Sequence, residues 1–196
     1  MIPYLLLFGV WLLYGAFGLV ATSLAPLAVL IIPDLSLTHA QMGMIMGAWQ
    51  LVYIFSAVPS GVLLDRIGPQ KALAIGGVLI ALSATARAFA DDHVTMMLAV
   101  MLFGLGGPVV SAGAPKVVMD LFTGSRRGLA MGIYMTGPAI GGIVSLTLTH
   151  PVLLPLFGDS WRMVLLAWGG FSLLCALLWY GLASLHSFGG ETHTVN

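Results

Sequence analysis

The chain has 196 residues, of which 59% are hydrophobic and 7% charged, and it carries no net charge. Soluble domains carry roughly 25% charged residues, so an ordinary wetted surface is excluded and most of the chain must face lipid. Neutrality also argues against nucleic acid as a partner. The single cysteine, Cys175, lies inside an apolar run, which excludes an internal disulfide and reads as a small core residue.

Six stretches are long and apolar enough to cross a bilayer: residues 4–32, 41–63, 72–90, 94–119, 128–150 and 161–184. Each approaches or exceeds the roughly 20 residues a helix needs to span the hydrocarbon layer. Backbone groups in lipid must bond within their own segment, and the runs do not alternate, so helices are expected throughout. The first span has no basic flank and is too long for the apolar part of a signal peptide, so no cleavable leader is expected. A first helix starting in the cytoplasm ordinarily has a Lys or Arg before it, and the absence of one before Tyr4 suggests a trimmed start. Residues 186–196 are expected to form a cytoplasmic tail, the start of a central linker.

The links are short, which makes neighbouring spans antiparallel. Links two and four carry Arg66, Lys71, Arg126 and Arg127. The others carry Asp34, Asp91, Asp92 and Asp159, with Arg162 as their one base. Basic loops stay inside, so links two and four and both termini are expected to be cytoplasmic, with the chain integral to the plasma (inner) membrane. Prolines fall in span one (Pro26), span two (Pro59), span four (Pro108, Pro115) and span five (Pro138), and in neither three nor six. Proline removes a backbone hydrogen bond and kinks a helix. Four bendable helices lining a moving cavity and two straight ones bracing it is the arrangement this predicts. A faint internal echo, Leu73-Ala-Ile-Gly76-Gly77 against Leu166-Ala-Trp-Gly169-Gly170, fits a 3+3 inverted repeat.

The second link is the most distinctive. Gly61 is expected to let the end of span two approach a neighbour. Asp65 and Arg66 sit at the water boundary, and Gly68-Pro69 makes the turn, because proline biases the residue before it away from helix. Lys71 opens span three at the end where the helix dipole disfavours a cation, so topology or an anionic partner must explain it. Together Gly61, Leu63, Asp65, Arg66, Gly68, Lys71 and Leu73 resemble the Gly-x-Leu-x-Asp-Arg-x-Gly-x-x-Lys-x-Leu loop of the major facilitator superfamily of secondary transporters. The resemblance implies that Asp65 latches the cytoplasmic gate against a helix of the other half, with Arg66 and Lys71 orienting it. Pro69 and Gln70 replace positions that are often basic, which thins that network.

Span five carries Gly128, Gly132, Gly137-Pro138, and Gly141-Gly142. Glycines so spaced permit backbone-to-backbone packing. The run Gly137-Pro138-Ala-Ile-Gly141-Gly142 is similar to the core of the family's antiporter-associated motif, with Gly132 one residue off the usual spacing. Phe122 to Ala130, with Arg127-Gly128, and Trp161-Arg162 resemble two further family passages. The resemblance covers nearly the whole chain but only the first six helices of a family that normally has twelve. It implies half of the family's fold, an all-α bundle, with a second six-helix half supplied by a longer chain, a second copy or a separate chain. Because the sequence stops soon after span six, a fragment is the favoured reading.

Many proton-coupled members have an arginine four residues before a Gly-x-Gly in helix four. Here Gly104-Leu-Gly106 is preceded by Val100, and no acidic residue falls in an apolar core, so no proton site is evident. The intramembrane cations Arg87 and Lys116 lie within about a turn of span ends, where long side chains snorkel to water; the alternative is that one draws an anion inward. Uncharged polar candidates for the pathway are Tyr14, Thr22, Gln50, Tyr53, Ser111 and Thr136, with Gln50 foremost, since it must find a partner or a substrate. Interhelical hydrogen bonding is the plainer fate for each. His150 reads as interfacial.

Neither a metal cluster, a nucleotide loop nor a nucleophile pairing is legible, so catalysis and cofactors are not expected. The expected function is transport of a small solute, with the texture around Pro115-Lys116 closest to anion or organic-acid porters. The alternative is a non-transporting membrane scaffold or assembly factor derived from such a half.

Overall fold

A computed structural model describes residues 2–185; the expected tail, 186–196, lies outside the described residues. All regular structure among them is helical: α1 (Ile2–Thr22), α2 (Ala28–Asp34), α3 (His39–Ala88), α4 (His93–Leu121), α5 (Ser125–Leu148), a π turn (Thr149–Leu153), α6 (Leu154–Leu156) and α7 (Trp161–Ser184). We call the end carrying Arg66 and Lys71 the basic end and the end carrying Asp34 and Asp91 the acidic end. Three helix starts at the acidic end are capped by side chains. Thr38 pairs reciprocally with Gln41, Asp92 with Thr95, and Ser160 accepts from the Met163 N–H, satisfying backbone donors that lipid could not.

α3 is two spans in one. Its limbs, 39–67 and 69–88, meet at Gly68, whose φ of 78° and ψ of 163° are non-helical. That combination is essentially restricted to glycine, and Pro69 starts the second limb without needing a hydrogen-bonded N–H. The expected link of several residues is therefore a break one residue wide. The second limb consequently begins with a proline, so the third span is not free of one as expected.

Two further spans differ from expectation. Residues 4–32 are not one kinked helix: α1 ends at Thr22, and α2 resumes at Ala28. The Thr22 and Ser23 hydroxyls donate back to the carbonyls of Gly18 and Val20, and Pro26 has no N–H to carry the ladder onward. Span five does not stop at 150 but continues through the π turn and α6 to Leu156. The wider π turn accommodates Pro151, whose ring would collide with a carbonyl of a regular helix.

Glycines set the packing. A Cβ on Gly18 or Gly141 would collide with the backbone of Pro138 or Gly15, and one on Gly137 would lie 2.9 Å from the Trp11 carbonyl, so α1 and α5 touch backbone to backbone. At Gly104 the clash is with Trp49 and Val52 of the first limb of α3, and at Gly106 with Gly76 and Leu79 of the second. α1 also meets α7, where Gly9 faces Trp179. Gly61, Gly128 and Gly132 face open space, so the close approach expected of Gly61 is not made among the described residues. The echoed glycines occupy unlike surroundings: Gly76 packs on α4 and Gly169 on Thr85 of α3, while Gly170 is open.

The candidate transport pathway and its two ends

Between α1, the first limb of α3 and α4 lies an open concavity of about 370 Å³, lined by Tyr14, Phe17, Trp49, Gln50, Tyr53, Ile54 and Ser111. Tyr53 Oη and Ser111 Oγ are 2.6 Å apart, and Ser111 also donates to the Pro108 carbonyl. Tyr14 stacks on Tyr134 of α5, with ring centroids 5.7 Å apart. Phe17, Trp49 and Phe103 close the floor, with Phe103 at 5.0 Å from Phe17 and 5.2 Å from Trp49. No charged residue lines this wall among the described residues. The Gln50 side chain is exposed in the concavity and makes no hydrogen bond among the described residues, so the interhelical bond expected of it is absent.

Four of the polar candidates, Tyr14, Gln50, Tyr53 and Ser111, thus come together. Three do not join them. Thr136 accepts from Trp11 Nε1 at 2.9 Å and donates to its own helix. Thr22 bonds back to Gly18 and lies beside Gly142. Lys116 belongs to the basic end. The apolar-bodied aromatics Phe17 and Trp49 complete the wall beside the polar candidates. Their signal was legible: Tyr14 and Phe17 are spaced i, i+3, and Trp49 and Tyr53 i, i+4, which places each pair on one helix face.

At the basic end Asp65 Oδ1 pairs with Lys116 Nζ at 2.8 Å. Lys116 therefore binds a carboxylate rather than simply reaching water, and it is Lys116 that holds Asp65, not Arg66 or Lys71. The pair is exposed, and such pairs contribute roughly 0–1 kcal/mol. Arg127 donates to the carbonyls of Phe122 and Met119, satisfying the end of α4. At the acidic end Arg162 binds Asp34 and the Ala90 carbonyl, lies 3.5 Å from Asp91, and stacks on Trp161. Its hydrogen bond to Asp34, with a second from Trp161, holds the Asp34 carboxyl below the usual carboxylate range. The hydrogen bonds from Thr95 do the same for Asp92.

Arg87 overturns its snorkelling expectation. It is 1% exposed, and its guanidinium reaches back one turn toward mid-helix. Nη2 donates to Ser83 Oγ, and Nη1 to the Val20 carbonyl and Ser23 Oγ. The Val20 carbonyl is available because α1 ends beside it. His150 makes the complementary contact: its Nε2 donates to the Pro26 carbonyl at 2.7 Å, so it holds the same break rather than merely lying at an interface.

Residues 7–190 match the sequence profile of the Major Facilitator Superfamily. The chain belongs to the Major Facilitator Superfamily. Among curated relatives, it is 28% identical to the hexuronate transporter of Bacillus subtilis, over 75% of this chain and 34% of the relative. It is 26% identical to the probable L-galactonate transporter of Escherichia coli, over 76% and 32%. With the probable chloroplastic anion transporter 3 of Arabidopsis thaliana the identity is 33%, over 64% and 25%. The fold superposes on a bacterial homologue of the human lysosomal transporter Spinster, inward-facing and unoccupied, with a TM-score of 0.83 at 20% identity, covering 96% of this chain and 44% of that one. The chain thus spans about a third of the length of these first curated relatives. Membership, with the apolar helices, makes this superfamily member an integral membrane protein.

Proposed function

We propose that the chain is the first six-helix half of a porter that carries a small organic anion across the membrane by alternating access, completed by a second half. The observation that carries this is the neutral, aromatic concavity with an unbonded Gln50 amide at its surface. A polar group left unpaired at membrane depth is costly unless a solute, water or partner satisfies it. The relatives named for hexuronate, L-galactonate and anions supply the substrate class. Packing supports the 3+3 repeat: α1 lies on α5 and α7 as α4 lies on the two limbs of α3, the relation produced by exchanging the first three spans with the last three. The spread of basic residues supports cytoplasmic termini, and the Asp65–Lys116 pair sits where a gate at that face would close.

The test is uptake of galacturonate-class carboxylates into vesicles by the protein together with its completing half. Gln50→Leu removes the free amide without breaking any hydrogen bond among the described residues. One lost hydrogen bond to substrate, about 1–2 kcal/mol, predicts a KM raised roughly 5- to 30-fold with thermal stability unchanged. Unaltered uptake would remove Gln50 from the pathway and the concavity from the mechanism.

A further inference from the structure

We propose that Arg87 acts from behind the aromatic floor as a fixed positive charge that biases the neutral concavity toward anions. This rests on the transport reading above. Arg87 is the only charged residue among those classed as buried in the described residues, and no carboxylate among them pairs with it. Its hydrogen-bond partners, Val20, Ser23 and Ser83, are all neutral, and its Nε has none. Guanidinium groups do not deprotonate in proteins, so the charge stays. A buried charge without a counter-charge is expensive, and hydrogen bonding to the helix-one break alone does not call for one, since a neutral donor would serve.

Its position explains the charge. Arg87 Cζ lies 5.7 Å from the centroid of Phe103, and the other neighbours of that ring are Phe17 and Trp49, which line the concavity. Phe103, and beyond it the lining rings of Phe17 and Trp49, therefore separate the cation from the solute space. At roughly 13 Å and an effective dielectric constant of about 20, a unit charge favours an anion on the order of tenfold over its neutral counterpart. The wall itself stays uncharged, so the anion is attracted without being trapped by a direct ion pair.

The experiment compares galacturonate with its neutral methyl ester as competitors for uptake of labelled substrate by the complete porter, with other small carboxylate–ester pairs run alongside. The readout is the ratio of the two affinities. Arg87→Gln is expected to lower that ratio roughly tenfold and Arg87→Lys to preserve it. Ser83→Asp keeps the arginine but places a carboxylate on it, and is expected to lower the ratio as Arg87→Gln does; it decides the matter if Arg87→Gln does not fold. A ratio unchanged by Ser83→Asp or Arg87→Gln, or lost equally in Arg87→Lys, overturns the proposal and leaves Arg87 as a pin on the broken helix, with the transport reading intact. A wild-type porter that prefers no carboxylate over its ester overturns the anion reading itself and this inference with it.

Discussion

Gly141→Ala is the sharpest probe of the fold, because its sign opposes the local preference of the helix. In isolation, alanine favours a helix over glycine by about 1 kcal/mol. At Gly141 the added Cβ would overlap the Gly15 carbonyl oxygen and come within 3.0 Å of the Leu19 nitrogen. Those are backbone atoms of α1 and cannot rotate away, so the two helices must part. Gly18 and Gly137 lie in the same seam, so the separation loosens contacts along its whole length. Overpacking of this kind costs typically 1–3 kcal/mol, and a backbone clash belongs at the upper end; net of propensity, about 1–2 kcal/mol of stability is lost. Gly170→Ala is the matched control, mid-helix in α7 with open space around it, and gains up to about 1 kcal/mol. Cys175, the sole cysteine, is free and buried, so a thiol-reactive dye reports unfolding without further engineering. At roughly 2–4 °C per kcal/mol for a chain of this size, Gly141→Ala should melt about 2–8 °C below wild type and Gly170→Ala at or slightly above it. Equal melting temperatures for the two variants would refute the backbone-to-backbone seam.

Gly68→Ala forces a side chain into a backbone region reserved for glycine, at a cost of about 1–3 kcal/mol, whereas Gly61→Ala, in open space, should leave the same dye-monitored melting temperature unchanged or raised. Asp34 gives a pH signature. Its pKa is depressed in the fold, chiefly by Arg162, so its stabilisation is complete above the unfolded value near 4 and fades as pH falls through the lower folded value. Melting temperature measured downward from pH 6 should therefore drop more steeply in wild type than in Asp34→Asn, which starts lower and stays flatter. Asp65→Asn should slow uptake by the complete porter while changing stability by less than about 1 kcal/mol; full uptake kinetics in that variant would argue against a gate role for the carboxylate.

What the sequence disclosed is what lipid and local backbone chemistry dictate. Apolar length located the spans, since helices are the only uncovered solution in hydrocarbon, and Gly68-Pro69 located the turn because no other pair satisfies that geometry so locally. The boundaries of the sixth span, Trp161 to Ser184, coincide with the expected 161–184 because Ser160 caps it and the preceding Gly158-Asp159 pair has positive φ. Failures cluster where a distant residue decides. Whether Pro26 kinks or breaks a helix depends on which groups donate to the carbonyls left there, and the answer, Arg87 and His150, lies 61 and more residues away. Pro151 reads as a link residue until the π turn is seen to absorb it.

The candidate site divides along the same line. Tyr14, Gln50, Tyr53 and Ser111 were legible as polar residues on bendable helices, but Thr136 was not separable from them, because only the structure shows Trp11 consuming its hydroxyl. Arg87 is the instructive case. Its distance from a helix end is a property of the sequence, and the snorkelling rule uses nothing else. The rule assumes that water is the best acceptor within reach. Here the break in helix one presents the Val20 carbonyl and the Ser23 hydroxyl in the opposite direction, and Ser83 of the same helix as Arg87 adds a second hydroxyl, so a guanidinium with five donors finds three protein acceptors by turning away from the interface. The same event that breaks the helix therefore turns the cation inward, behind the rings of the concavity. A proline and an arginine, read separately as a kink and an anchor, form one device only when α1 and α3 are packed together.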